Sequence, residues 1–145
     1  MSLGSTFEND VLNLILCAKA IANVADNASA APTTSVWSAL HTADPSSGTQ
    51  QTSEIAYTAY ARAATTRSTV GWTVTGSGPA TASPVSAISF PQCTTASTVV
   101  ASYWSVGTSS NGTGKIIGSG AISPTISLGA LVTPQITTAS SFTMS

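Results

Sequence analysis

A mainly β fold, a single-domain β-sandwich or small barrel with an N-terminal amphipathic helix, is what this sequence predicts. Three observations carry that expectation. The chain has 145 residues, the length of one domain. After Pro32, β-branched and aromatic residues alternate with Ser, Thr and Ala between Gly- and Pro-marked breaks. Only the segment before Pro32 repeats its apolar residues at helical spacing. The expected organisation is one domain over 1–145, with the helix over 5–26 and the sandwich or barrel over 33–145.

The helix is signalled at both ends. Ser5-Thr6-Phe7-Glu8 has the form of a capping box, in which the Ser5 hydroxyl accepts from the Glu8 N–H and the Glu8 carboxylate reaches back to the Ser5 N–H. Glu8 and Asp10 also lie where the positive end of the helix dipole favours acids. Phe7, Val11, Leu14, Ala18, Ile21, Ala22 and Ala25 form the apolar stripe, which Leu12, Ile15 and Leu16 widen. Asp26-Asn27 and the run to Pro32 end it. The stretch Val11–Val24 followed by Ala28-Ser29-Ala30 has the outline of a secretory leader. Acids rather than Lys or Arg precede it, however, and Lys19 interrupts it, so it reads as a helix. It is also too short and interrupted to span a bilayer.

Strands are expected near Thr34–Thr42, Tyr57–Ser68, Gly71–Thr75, Ala87–Phe90, Val99–Gly107, Lys115–Ile122 and Pro134–Thr143. Period-two alternation is clearest in the first, where Val36, Ser38, Leu40 and Thr42 share one face and Trp37, Ala39 and His41 the other. Asp44-Pro45-Ser46-Ser47-Gly48 starts a polar loop reaching about Ile55. Gly76-Ser77-Gly78-Pro79 and Ser109–Gly114 are hairpin-type connections.

Composition narrows the function classes. The chain has 24 serines and 23 threonines, and charged residues make up 6% of it, against a typical ~25%. With a net charge of −1 and 42% apolar residues it should fold. So sparse a charge supplies little solubility, which points to a surface held against other subunits. Four scattered cations make no phosphate-neutralising stripe, so nucleic acid is not an expected partner. No basic amphipathic face suggests a membrane either. Cys17 and Cys93 stand outside any Cys-x-x-Cys context; Cys17 reads as a small buried residue of a protein made in a reducing cytoplasm.

No catalytic, cofactor or metal residue is expected. His41 is the single histidine, and no Gly-x-Ser-x-Gly elbow presents a nucleophile to it; a strand-end histidine bonded to a loop is the natural reading. Of the five acids, Glu8 and Asp10 belong to the helix start and Asp44 to a turn, which leaves Asp26 and Glu54 with nothing to pair them. One histidine and two distant cysteines do not make a zinc set; Asp44 and Glu54 bracket a loop that could offer oxygens to calcium only weakly. Asn27-Ala28-Ser29 and Asn111-Gly112-Thr113 fit the glycosylation pattern, which chance supplies freely in so Ser/Thr-rich a chain. Trp37, Trp72 and Trp104 fall in expected strands and read as core, with a carbohydrate-stacking platform as the sharper alternative. Arg62 and Arg67 read either as interface residues or as charges guarding a strand edge.

Several stretches together resemble a family of small virion proteins of tailed bacteriophages, labelled tail-fibre-like, with similarity to capsid decoration, or cement, proteins. They are Leu40-His41-Thr42-Ala43-Asp44-Pro45, the polar loop with Gly48-Thr49-Gln50, Glu54 to Arg62 with its Tyr57-x-x-Tyr60-Ala61-Arg62, Gly71-Trp72-Thr73-Val74, Ile88-Ser89-Phe90-Pro91 and Gly114 to Ile122. The likeness runs from about Asn9 to Thr137. It implies a phage virion protein, and with no reactive centre expected from the residues the role is structural, in a protein made in the host bacterial cytoplasm. A long receptor fibre normally shows triple-stranded repeats or heptads, and this chain has neither. A small sandwich with an apolar-rich helix suits a shell lattice, where many modest interfaces act together. The leading expectation is therefore a capsid decoration protein on the capsid surface, self-associating as a dimer or trimer and bound to the major capsid protein. Phe7, Val11, Leu14, Ile15, Arg62 and Arg67 are its candidate interface residues. A tail-fibre or tail-tip adhesin that grips host glycan through tryptophan is the alternative.

Overall fold

A computed structural model of the chain describes residues 5–21, 33–76 and 79–144, with side chains of the first helix described from Phe7. The fold is mainly β, with one short N-terminal helix and several sheets, and no closed barrel is formed among the described residues. The elements are α1 (Ser5–Cys17), β1 (Ser35–His41), β2 (Ala63–Thr66), β3 (Trp72–Thr75), β4 (Ala80–Pro84), β5 (Ile88–Ser89), β6 (Val100–Gly107), β7 (Ile116–Ser127), β8 (Gln135–Ile136) and β9 (Phe142–Met144). They gather into two compact units, each discontinuous in sequence.

One unit comprises Met1–Ser35, Thr66–Ser86 and Thr138–Ser145. Its three-stranded sheet has the order β3-β4-β9, and α1 packs on β3 and β4. Trp72 anchors this core at 1% exposure, edge-on to Phe142 with ring centroids 6.2 Å apart. The expected hairpin through Gly76 and Pro79 is present: β3 and β4 pair antiparallel from Trp72↔Pro84 to Thr75↔Thr81. Strand β4 has no sequence forecast, because Ala-Thr-Ala-Ser-Pro offers little β preference of its own. Cross-strand pairing supplies what propensity does not.

The helix faces inward by a different stripe from the one its periodicity suggests. Leu12, Leu16 and Glu8 are buried, whereas Val11, Leu14 and Ile15 are half-buried and Phe7 is 38% exposed. Both stripes recur every four residues, so spacing alone could not choose between them. Glu8 brings a carboxylate inside, and its Oε2 has no hydrogen-bond partner. The Ser5 side chain of the expected capping box lies outside the described residues.

The helix also ends earlier than the expected boundary at Asp26. Ala18 takes a left-handed φ of 56°, and the Lys19 N–H donates to the Asn13 carbonyl at 3.1 Å. Residues 18–21 are not helical; 22–26, and the Asn27 triplet, lie outside the described residues. The physical reason is a cap from far along the chain. The Arg67 guanidinium donates from Nη2 to the Leu14 carbonyl at 2.7 Å and from Nε to the Ile15 carbonyl at 2.5 Å. These carbonyls belong to the last turn, which has no intrahelical donors left and carries the negative end of the dipole.

Replacing Arg67 with alanine is accordingly expected to cost about 1.5–3 kcal/mol, the range for hydrogen bonds to a charged group. Arg67→Lys should recover only part of it, since an ammonium cannot fork across two carbonyls. Urea denaturation with helix content followed by circular dichroism checks both.

The second unit comprises Val36–Thr65 and Ala87–Thr137. Its larger sheet has the order β2-β1-β6-β7, and β5 and β8 form a two-stranded sheet. β1 and β6 are antiparallel from Trp37↔Gly107 to His41↔Tyr103, and the β6–β7 hairpin turns through Ser109–Gly114 as the sequence suggests. β1 is buried on both faces toward its end, where Ala39 and His41 are as inaccessible as Ser38 and Leu40. Trp104, 2% exposed, lies in the core with Leu40, Phe90, Val106 and Ile136. The 12-residue β7 is an edge strand without a charge, and two register shifts against β6, together with Pro124, break its ladder. Bulges and proline keep such an edge from pairing indiscriminately.

The expected strand Tyr57–Ser68 shrinks to Ala63–Thr66, because the residues before it are drawn into side-chain bonds instead of a ladder. Pro134–Thr143 likewise divides into β8 and β9, one in each unit.

Candidate functional site

Two of the stretches that carry the family resemblance, Leu40–Pro45 and Glu54–Arg62, meet in one network in the second unit, whereas Gly71–Val74 belongs to the first. The network begins at His41, the last residue of β1. The loop that follows leaves the strand and returns beside it: the Thr42 N–H donates to the Ser53 carbonyl, the Ile55 N–H to the Leu40 carbonyl, and Glu54 bridges antiparallel to His41. Asp44 shapes the outward path, accepting the Ser46 N–H at 2.9 Å.

His41 locks this loop from beneath. Its Nδ1 lies 2.9 Å from the Thr52 carbonyl, and its Nε2 lies 2.8 Å from the Ser105 hydroxyl. A carbonyl can only accept, so Nδ1 carries the proton and Nε2 accepts from Ser105. Desolvation by burial is the main cause that pushes its pKa below the ordinary 6.5, while the Thr52 bond and the Glu54 charge oppose it. The ring is therefore neutral, with both nitrogens occupied.

A base whose folded pKa is lowered binds its proton more readily when unfolded. Stability from His41 is thus complete above about pH 6.5 and declines as pH falls below it, by up to about 1.4 kcal/mol per pH unit. Urea midpoints between pH 8 and 5 should show this decline, and His41→Gln should flatten it.

Gln50 plugs the same region. Its Nε2 donates to the Trp37 carbonyl at 2.9 Å, its Oε1 accepts the Ser109 N–H at 3.0 Å, and its own N–H donates to the Gly114 carbonyl at 2.9 Å. The close fit needs glycine at two places. A Cβ on Gly107 would fall 2.4 Å from the Lys115 carbonyl oxygen, and one on Gly114 would fall 2.2 Å from Gln50 Oε1.

The Tyr57-x-x-Tyr60-Ala61-Arg62 segment supplies the other half. Arg62 and Glu54 form a two-pronged pair, Nε to Oε1 and Nη2 to Oε2, both 2.7 Å, with side chains only 2% and 15% exposed. The guanidinium also donates to the Ser109 carbonyl at 3.0 Å and the Gly112 carbonyl at 2.7 Å, fastening the β6–β7 hairpin loop. The Tyr60 hydroxyl donates to Glu54 Oε1 at 3.0 Å and accepts the Leu40 N–H at 3.1 Å. Its ring stacks on Phe90 and meets Tyr57 edge-on. Burial pushes the Tyr60 hydroxyl far above its ordinary range, and the Tyr57 hydroxyl, donating to the Pro91 carbonyl, up to about 12.

Each expected site residue can now be placed. Arg62 is neither an outward interface side chain nor a solvated guard: its charge is turned inward and neutralised by Glu54. Arg67 caps the helix in the first unit. Phe7, Val11, Leu14 and Ile15 share a partly exposed apolar side of α1. Glu54, Tyr60 and Gln50 are the network residues to which sequence reasoning gave no such role. A lone Glu and a lone Arg eight positions apart across a Tyr pair, in so uncharged a chain, were the available signal.

The chemistry open to this network is limited. Arg62 and Glu54 cancel each other, His41 has no free ring nitrogen, and Asp44 is engaged in its turn, so the weak calcium idea for Asp44 and Glu54 has no geometric support. No group of three His, Cys, Asp or Glu side chains suited to a metal occurs among the described residues. Cys17 and Cys93 are buried free thiols in different units, donating to the Trp72 and Thr95 carbonyls. The network borders a shallow groove of about 340 Å³ between the 51–62 segment and the hairpin loop at 110–112.

The family of the Podophage GP4 fiber I protein gp80 matches residues 5–137 of the chain, which takes in every element just described except β9. Comparison with curated proteins finds no match.

Proposed function

The chain belongs to the family of the Podophage GP4 fiber I protein gp80 and is a structural protein of the bacteriophage virion; from that premise we propose that it is a non-enzymatic building block of the tail fibre. The family match over nearly the whole chain carries this reading. The network supports it, because His41, Glu54 and Arg62 are engaged in holding the loop, the strand and the hairpin together. Partners are other virion subunits, copies of this chain among them. The half-exposed apolar side of α1 suits that role. Nucleic acid is not a partner in this reading, because two of the four cations, Arg62 and Arg67, are engaged internally; no described helix is long and apolar enough to cross a membrane.

Capsid decoration, with the major capsid protein as partner, is the second reading, favoured by the lack of heptads or triple-stranded repeats in a chain of this length. Copy number per virion, from quantitative gel densitometry, combined with antibody labelling in cryo-electron microscopy, decides between them. A handful of copies at the tail is the expected result. Hundreds of copies on the head, with heads losing heat resistance when the protein is removed, would establish decoration instead.

A further inference from the structure

The groove beside the Glu54–Arg62 network has no assigned role, and its geometry points to a binding site for a neutral, hydroxyl-rich saccharide. The inference holds whether the protein sits on tail or head. At about 340 Å³ the groove is at the small end of ligand sites, room for one or two sugar rings. Its inner wall is preorganised. Arg62, held by four hydrogen bonds, ties Glu54 to the hairpin loop, and Tyr60 is fixed between Glu54 and the Leu40 N–H. The wall itself therefore needs little ordering on binding.

Around this wall stand Gln51, Ser110 and Asn111, all exposed. None of the three side chains has a hydrogen-bond partner among the described residues. Two amides and a hydroxyl thus face a groove whose Glu54 Oε2 accepts only the Arg62 bond. Donors and acceptors in this mixture suit hydroxyl groups, each of which both donates and accepts. Charge neutrality at the Arg62–Glu54 pair gives an anion no electrostatic reason to enter. A peptide would need an apolar anchor pocket, and beside the Tyr60 ring, which Tyr57 and Phe90 hold in place, the groove contributes only Ala56, Ala61 and the buried Ile55. The backbone adds an independent sign. Ser53 and Ala59 hold left-handed φ values of 52° and 76° within the lining segment, conformations that cost non-glycine residues energy and cluster at binding sites.

The test applies the full chain to an array of neutral and anionic bacterial surface saccharides. The strongest neutral binder is then titrated while backbone amide shifts are followed. Saturable binding to neutral saccharides is expected, with shifts confined to residues 51–62 and 109–112. The double variant Gln51→Ala, Asn111→Ala should weaken it about tenfold, as for one or two lost hydrogen bonds, with the thermal midpoint unchanged because both side chains are exposed. Binding to anionic saccharides alone, shifts elsewhere, affinity unchanged in the double variant, no neutral binder on the array, or the groove responding only to a peptide of another virion subunit would each overturn the inference. None of these outcomes touches the virion location, which labelling reads separately.

Discussion

Replacing Arg62 with alanine is expected to lower stability by about 3–5 kcal/mol, because it strands Glu54 as an unpaired, largely buried carboxylate. The Glu54 side chain is only 15% exposed, so water can compensate it only in part. The same change releases the Ser109 and Gly112 carbonyls and loosens the hairpin loop they belong to. A loss of this size shifts the melting midpoint of a chain of this length by roughly 10 °C. Glu54→Gln should fall in the same direction, since it leaves the guanidinium without its counter-charge. Arg62→Lys should lie between, keeping the charge while losing the fork. The paired replacement Arg62→Met, Glu54→Leu distinguishes a buried ion pair from simple packing. It should recover much of the loss, because the expense lies in leaving one charge alone. Additive losses in that double variant, measured by urea titration, would contradict the account.

Trp72→Ala and Trp104→Ala are each expected to destabilise by about 3–5 kcal/mol, the range for truncating a buried aromatic. Both indoles are almost wholly inaccessible, Trp72 at 1% and Trp104 at 2%, in separate units. This bears on function. Two of the three tryptophans cannot stack on a glycan without unfolding their surroundings, so a tryptophan platform is not available to an adhesin at those positions. Loss of saccharide binding in Trp72→Ala or Trp104→Ala would report unfolding, and thermal melts of the same variants would show it. Trp37, half-buried on β1, is the one whose replacement should be milder.

Fold class was legible because it depends on local quantities. Alternation after Pro32, turn residues at 76–79 and 109–114, and helical spacing before Pro32 are properties of neighbours in sequence, and the strands and hairpins they forecast are present. Boundaries were less legible. Two competing stripes, Phe7–Val11–Leu14 and Glu8–Leu12–Leu16, fit α1 equally well, and the sheet selected the one containing an acid. The early end of α1 depended on a guanidinium about fifty residues away, which no capping rule over adjacent residues could anticipate.

The candidate site divides in the same way. His41 as a strand-end histidine bonded to a loop followed from its position after a strand and before Asp44-Pro45. The pairing of Glu54 with Arg62 did not, since sequence reasoning left Glu54 without a partner and set Arg62 at a surface.

By itself, then, the sequence determined a β-rich, sparsely charged chain with an N-terminal helix, and the kinship that makes it a virion protein. These rest on composition, periodicity and motif order, which need no third dimension. Only the tertiary structure decided where the few charges go. A burial penalty depends on everything packed around a group, so Arg62 and Glu54 became an internal clasp, Arg67 a helix cap, and the unbonded Gln51, Ser110 and Asn111 the polar groups left facing the groove.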